Sequence, residues 1–479
     1  LVLTALLNAC AAPQPVPNTT LALPTAAIAS QNAPPTTVPT ETLAPEEATP
    51  EPEATRPERT LYQVDVSMAG VSTMHVELVI NYLNTSNETL ENLPFILFAP
   101  LSWYRFEGIL GGEPSYSPIR DYDLEEGLLS VPLNTPLEPG ERRQLTLYYQ
   151  LSTPPRGLSG YAARQAHFVY WYPFVPPPDP DGGWLVHAAG EVGEWMPQEQ
   201  ADFEVTIHVD NAALQVIAPG TVTVMDTGAH VSLANARHMM FTLSSELEFS
   251  EQDVDGILVR SWYYPEHTAA GKQALQTVSD SLRLYQEIYG PYPYDSFTVM
   301  ESYVQDGLEG DAGFFLDAFY YAQYDGTPQN LLTALCAHET AHAWFYGMVG
   351  NDPALEPWLD EALATNSERL YYERYYPELV GWWWDFRVNV FKPGGWVNST
   401  IYDHREFRPY VNAVYLRGAR FLGAVNESMG DETYFQFLGD YVSANRDNLA
   451  TSVDFFDLLA EHSEDNLTLL IENYFTPWR

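Results

Sequence analysis

Two histidines four residues apart, His338 and His342, enclose a glutamate in the pentad His338-Glu339-Thr340-Ala341-His342. The preceding stretch, Asn330-Leu331-Leu332-Thr333-Ala334-Leu335, has the apolar spacing of a helix. Positions i and i+4 of a helix share a face, so both imidazoles point the same way, at a separation that suits one tetrahedral ion. Neutral imidazole binds zinc well. Glu339 sits one step round the helix, where its carboxylate reaches a metal-activated water without being a ligand. A catalytic zinc takes three protein ligands and keeps one position open, so the third must come from elsewhere. Eighteen residues after His342 stands Glu361, in Trp358-Leu359-Asp360-Glu361-Ala362-Leu363. Gly347, Gly350 and Asn351-Asp352-Pro353 mark a turn region between them, and a second helix beginning near Pro357 would present Glu361 to the histidine pair. The set predicts one Zn2+ per chain, with Glu339 as general base for metal-assisted hydrolysis. The competing reading, two surface histidines on an ordinary helix, leaves Glu339 without a role.

The elements that must position these groups fall into two parts. From residue 60 to about 255 the chain alternates. Ala201-Asp202-Phe203-Glu204-Val205-Thr206-Ile207-His208-Val209, Gln144-Leu145-Thr146-Leu147-Tyr148-Tyr149 and His75-Val76-Glu77-Leu78-Val79-Ile80 read as strands, interrupted by Pro and Gly clusters such as Pro176-Pro177-Pro178-Asp179-Pro180-Asp181-Gly182-Gly183. The expectation is a β-sandwich-like domain with no catalytic spacing. Its scattered histidines (His75, His167, His187, His208, His230, His238) are expected to be structural or exposed. From 256 to 479, strand-like pieces (Ile257-Leu258-Val259 and Phe297-Thr298-Val299-Met300) flank a helical pattern from about Ala269 to Tyr289, ended by Gly290-Pro291. Beyond about Pro328 helix follows helix. The fold class is therefore multidomain α+β, with a small sheet and a helical lobe in the second part.

The segment from His338 to Glu361 resembles the aminopeptidase N family of gluzincin metallopeptidases. Trp358-Leu359-Asp360-Glu361-Ala362-Leu363-Ala364 is similar to the family's Trp-Leu-Asn-Glu-Gly-Phe-Ala, and Tyr289-Gly290-Pro291-Tyr292-Pro293-Tyr294 to its Phe-Gly-x-Tyr-Pro-Tyr. Gly430-Asp431-Glu432-Thr433-Tyr434-Phe435 through Phe475-Thr476-Pro477-Trp478 resembles the end of its thermolysin-like domain, and the family's further C-terminal helical domain is not matched. The resemblance implies a thermolysin-like zinc peptidase domain over 256–479 that removes N-terminal residues from peptides. It also implies further roles. Tyr415-Leu416-Arg417-Gly418 matches the family's Tyr-x-Lys-Gly, with Arg for Lys, which makes Tyr415 the donor to the oxyanion. Asp306-Gly307-Leu308-Glu309-Gly310 stands where the family has Gly-x-Met-Glu-Asn, which makes Glu309 the partner of the substrate's α-ammonium. Its first Gly and its Asn are not kept, and this weakens the amine anchor more than the zinc chemistry. Glu368, seven residues after Glu361 on the same helical face, takes the place of the residue that orients a zinc-ligating histidine. The alternatives are an endopeptidase or other zinc hydrolase without the amine anchor, and a non-catalytic surface binding module.

Lys and Arg number 22 against 64 Asp and Glu, a formal charge of −42. Such a field excludes nucleic acid and anionic membrane surfaces as partners and favours cationic substrate ends. There are only two cysteines, Cys10 and Cys336, which rules out a disulfide scaffold or thiolate zinc site; Cys336 is expected to be a buried apolar group. The chain opens Leu1-Val2-Leu3-Thr4-Ala5-Leu6-Leu7-Asn8-Ala9-Cys10, which resembles the end of a signal peptide with a lipobox, the cysteine becoming the lipidated residue. Residues 11–59, rich in Pro, Thr, Ala and Glu, are expected to be a disordered tether. The chain is thus expected to be an extracytoplasmic lipoprotein that acts on peptides and meets the membrane only through Cys10. Its oligomeric state is not legible.

Overall fold

The structure, a computed structural model, describes residues 58–111, 117–125, 127–463 and 467–477. Cys10 and the Pro-rich stretch at 11–57 lie outside the described residues. The described chain is mixed α+β, sheet-rich first and helical later.

Strict alternation in the first part produces a sheet with one buried face. Leu61–Ala69 buries Tyr62, Val64, Val66 and Met68 and exposes the residues between them. Thr73–Leu83 and Ala201–His208 bury alternate residues in the same way, those between being half-buried in the second and exposed or half-buried in the first. These strands belong to an eight-stranded sheet that is antiparallel throughout, except where Leu61–Ala69 runs parallel to Ala201–His208. A four-stranded sheet includes Gln165–Phe168 and Phe241–Ser244, both buried at every position. Burial on both faces explains why these strands carry no alternation. The core of this part reaches into the second through Met300, Leu308 and Phe315.

The second part begins with a five-stranded sheet in which Ile257–Tyr263, Ser296–Ser302 and Gly313–Asp317 run parallel. The helix Thr268–Tyr289 makes the crossover, as parallel pairing requires. The edge strand Gly307–Leu308 pairs antiparallel with Leu316 and Phe315. Helices follow. Leu331–Ala341, here called the histidine helix, is capped by Asn330, whose side chain accepts from Thr333 N at 3.0 Å. It is buried nearly all round, and its small residues Ala334, Ala337 and Ala341 allow close packing. Trp358–Tyr375, the glutamate helix, starts after Pro357. The Tyr285 hydroxyl, from the crossover helix, lies 2.9 Å from Ala337 O and 3.0 Å from Ser367 O. One phenol thus ties the two site helices together immediately before His338 and Glu368. Cys336 is free and fully buried.

Candidate active site

His338 lies in the last turn of the histidine helix and His342 caps its end, so both rings face the glutamate helix. His338 Nε2 is 3.2 Å from Glu361 Oε2, and His342 Nε2 is 3.8 Å from the same oxygen. The ligand-capable atoms of all three residues lie within 4.8 Å of one another. Tetrahedral zinc with bonds of about 2.0–2.1 Å sets its ligand atoms about 3.3 Å apart, which is close to these separations. The other nitrogens are already engaged. His338 Nδ1 meets Glu368 Oε1 at 3.0 Å, and His342 Nδ1 meets Asp360 Oδ1 at 2.6 Å and Phe345 O at 3.1 Å. Those acceptors take a proton-bearing Nδ1 from each ring and turn the Nε2 atoms, the ones a metal ion would take, toward Glu361. The donor set fits zinc in number, type and orientation.

Glu339 is buried, and its Oε2 has no hydrogen-bond partner, so one oxygen is free to take a proton. Burial pushes its carboxyl up to about 7 against the lowering pull of the two imidazoles. A divalent cation facing it would draw it back down. The carboxylate rests on the edge strand: a Cβ added to Gly307 would stand 1.9 Å from Glu339 Oε1. The Tyr415 hydroxyl donates to Glu361 Oε1 from the π-helical turn Asn412–Leu416. Gly418 permits that approach, since a Cβ there would lie 2.3 Å from Ala362 Cβ on the glutamate helix. Glu309 faces the same space, with a carboxylate oxygen within 4.8 Å of ligand-capable atoms of Glu339 and His342. Glu368 is fully buried; burial alone would raise its carboxyl, but Arg387 and then His338 hold it below the ordinary range.

All seven site residues singled out within the described part (His338, Glu339, His342, Glu361, Tyr415, Glu309 and Glu368) therefore converge. Sequence reasoning missed a contribution from the first part of the chain, where no catalytic spacing was found. Glu194 lies in the loop between Trp184 and Gln198, and its Oε1 accepts from Tyr170 OH at 3.1 Å. The loop is fastened to the helical lobe by His187 Nε2 to Asp352 Oδ2 at 2.7 Å, by Tyr402 OH donating to Ala188 O at 2.7 Å, and by Val192, which enters the helical core. Burial, with Asp360 and Glu361 nearby, raises the Glu194 carboxyl to about 7. Burial and then Glu194 push Glu309 well above its usual range. Glu194, Glu309, Glu339, Asp360 and Glu361 thus crowd one region, the first and last of them half-buried and the others buried, and among the described residues none of them pairs with a Lys or Arg. Such crowding calls for cationic ligands. Two acids, Glu191 and Glu194, in a loop with Gly190 and Gly193 offer no period or spacing by which Glu194 could be singled out.

Comparison with known proteins places this geometry in context. The Peptidase family M1 domain matches residues 274–474. Human Aminopeptidase O is 30% identical over 178 residues, covering 30% of this chain and 22% of that protein. Aminopeptidase M1-A of Oryza sativa subsp. japonica is 23% identical over 235 residues, 46% of this chain and 27% of that protein. The chain thus spans about a quarter of the length of these curated relatives. A point mutant of an M1 zinc metallopeptidase from Deinococcus radiodurans shares the fold, with a TM-score of 0.64 at 18% identity, over 88% of this chain and 95% of that one. The same mutant, crystallised with a Tyr-Ser-Ala substrate, aligns with a TM-score of 0.62 at 18% identity, over 87% of this chain and 92% of that one. Motif and domain match agree that residues 274–474 are similar to the Peptidase family M1 domain, and the fold is the one seen in M1 zinc metallopeptidases.

Proposed function

We propose that the protein is a zinc-dependent aminopeptidase. The observation that carries this reading is the meeting of His338, His342 and Glu361 beside the free oxygen of Glu339. Zinc held by those three residues would supply Lewis acidity toward the scissile carbonyl and the attacking water. Glu339 takes the proton from that water and delivers it to the departing amine. Tyr415, released from Glu361, donates its hydroxyl hydrogen to the oxyanion. Glu309 and Glu194 form an acidic end wall that pairs with the α-ammonium and limits cleavage to one residue at a time. The M1 assignment of 274–474 and the aminopeptidase names of the relatives support the same reading.

The test compares free and N-acetylated aminoacyl p-nitroanilides, with and without chelator. Cleavage of the free amine alone, lost on chelation, is the expected result. Cleavage of both substrates would mean a zinc hydrolase without an amine anchor, and cleavage of neither by zinc-loaded protein would leave a binding module. Glu339→Gln is expected to bind zinc and lose turnover; an active variant refutes the assigned base. We further propose that Cys10 carries a lipid anchor that holds the enzyme outside the cytoplasm, tested by fatty-acid labelling of the full chain against Cys10→Ala.

A further inference from the structure

The carboxylates behind the two imidazoles are held differently. Glu368 is fully buried and accepts four hydrogen bonds. Oε1 takes His338 Nδ1 at 3.0 Å and Arg387 Nη2 at 2.8 Å. Oε2 takes Trp383 Nε1 at 3.1 Å and Arg387 Nε at 2.9 Å. The guanidinium therefore grips the carboxylate edge-on with two parallel bonds, the geometry that fixes its plane as well as its place. Asp360, behind His342, meets that ring at 2.6 Å, but among the described residues it pairs with no Lys or Arg.

Arg387 reaches Glu368 from another element. The helix Val380–Trp383 runs on into a π-helical turn, Trp384–Val388. Trp383 and Arg387, four residues apart, both point inward there and close over Glu368. π-Turns of this kind often mark functional positions. Removal of the guanidinium would leave Glu368 with an indole and an imidazole as donors, and its carboxylate plane free to turn. The hydrogen bond that aims His338 Nε2 would then lose its fixed direction.

We infer that Arg387 is a positioning residue for the metal centre, acting through the Glu368 carboxylate to hold His338 in its ligating orientation. The inference rests on the zinc reading above and adds to it a residue outside the motif that carries the ligands.

The test measures the zinc dissociation constant of the full chain by competition with a chromophoric chelator, alongside the thermal midpoint of the metal-free protein. Arg387→Gln is expected to weaken zinc binding by about 10–100-fold, the usual cost of losing an outer partner of a metal ligand. Arg387→Lys keeps the charge without the fork and is expected to lose about three- to tenfold. In a Glu368→Gln background, Arg387→Gln is expected to change the constant by less than about threefold, because the residue it acts through is already altered. A dissociation constant for Arg387→Gln within about threefold of wild type overturns the inference, whatever happens to the metal-free midpoint. So does an undiminished further loss in the Glu368→Gln background. If Arg387→Gln does not fold, the lysine variant decides: unchanged affinity overturns the proposal, and a loss of about threefold or more supports it. A wild-type chain that binds no zinc overturns both this inference and the zinc reading, whereas wild-type binding with unaffected Arg387 variants overturns this inference alone.

Discussion

Gly307→Ala offers a sharp test of how Glu339, the proposed general base, is held. An alanine Cβ would lie 1.9 Å from Glu339 Oε1 and 2.4 Å from its Cδ. An ordinary C···O contact is about 3.3 Å, so the carboxylate must retreat by roughly 1.4 Å. The retreat is mechanically cheap, because the obstructing atoms are the end of a side chain and not backbone. Gly307 is also absent from the residues with positive φ, so alanine meets no backbone penalty. Stability is therefore expected to change by less than about 1 kcal/mol. Catalysis is not expected to be so tolerant. A misplacement of about 1 Å costs on the order of 10²-fold, and complete loss of a general base 10²–10⁴-fold, or about 3–5 kcal/mol in the barrier. The assay is kcat on a free aminoacyl p-nitroanilide, with zinc stoichiometry and thermal midpoint measured on the same preparation. The expected outcome is a fall in kcat of about 10²-fold or more with zinc still bound and the midpoint nearly unchanged. A kcat within about threefold of wild type would show that Glu339 does not act from the position it occupies here. In a Glu339→Gln background the same substitution is expected to cause no further loss.

Tyr415→Phe removes the hydroxyl that meets Glu361, and is expected to lower kcat about 10²–10³-fold with KM changed only a few-fold; near-normal kcat would remove the tyrosine from the reaction. Glu194→Gln is expected to lower kcat/KM for free-amine substrates about 10–100-fold through loss of a charged hydrogen bond, and an unchanged value would detach the loop from substrate binding. Chelation is expected to lower the thermal midpoint, since zinc at a thousand times its dissociation constant stabilises by about 4 kcal/mol, and added zinc should restore it; a midpoint insensitive to both speaks against a folded metal site. Away from the metal, burial raises the Glu301 carboxyl from 4.5 to about 7, partly offset by the Tyr264 backbone N–H and by His267. The native state then holds a proton that the unfolded chain has lost, so this group's contribution to stability falls as pH rises from about 4.5 to 7. Glu301→Gln is expected to flatten that part of the midpoint-versus-pH curve by the equivalent of about 1–3 kcal/mol; identical curves would place the carboxyl at an ordinary value.

The local features of the site were legible because local geometry determines them. Helical period alone puts His338 and His342 on one face, with Glu339 beside them. Asn330 and Pro357 mark where the two site helices begin. The alternation around Val76, Leu78 and Ile80 and in Ala201–His208 named the buried faces of those strands. Glu309 and Tyr415 became legible only through likeness to a family motif, and Glu368 through that likeness together with its place seven residues after Glu361 on one helical face.

Other features depend on which distant surfaces meet. Glu194 joins the site because a loop from the β-rich part is tied to Asp352 and Tyr402, more than 160 residues further along. Arg387 reaches Glu368 because a π-turn rotates it inward, and no helical pattern in the sequence forecasts that turn. Gly307 reads as an ordinary loop glycine until the edge strand is laid against Glu339. By itself the sequence determined a facing histidine pair, the glutamate beside it and the elements that carry them, because those follow from periods of a few residues. Tertiary structure alone decided the charge and orientation of the groups around the pair, because burial and long-range contacts have no period to read.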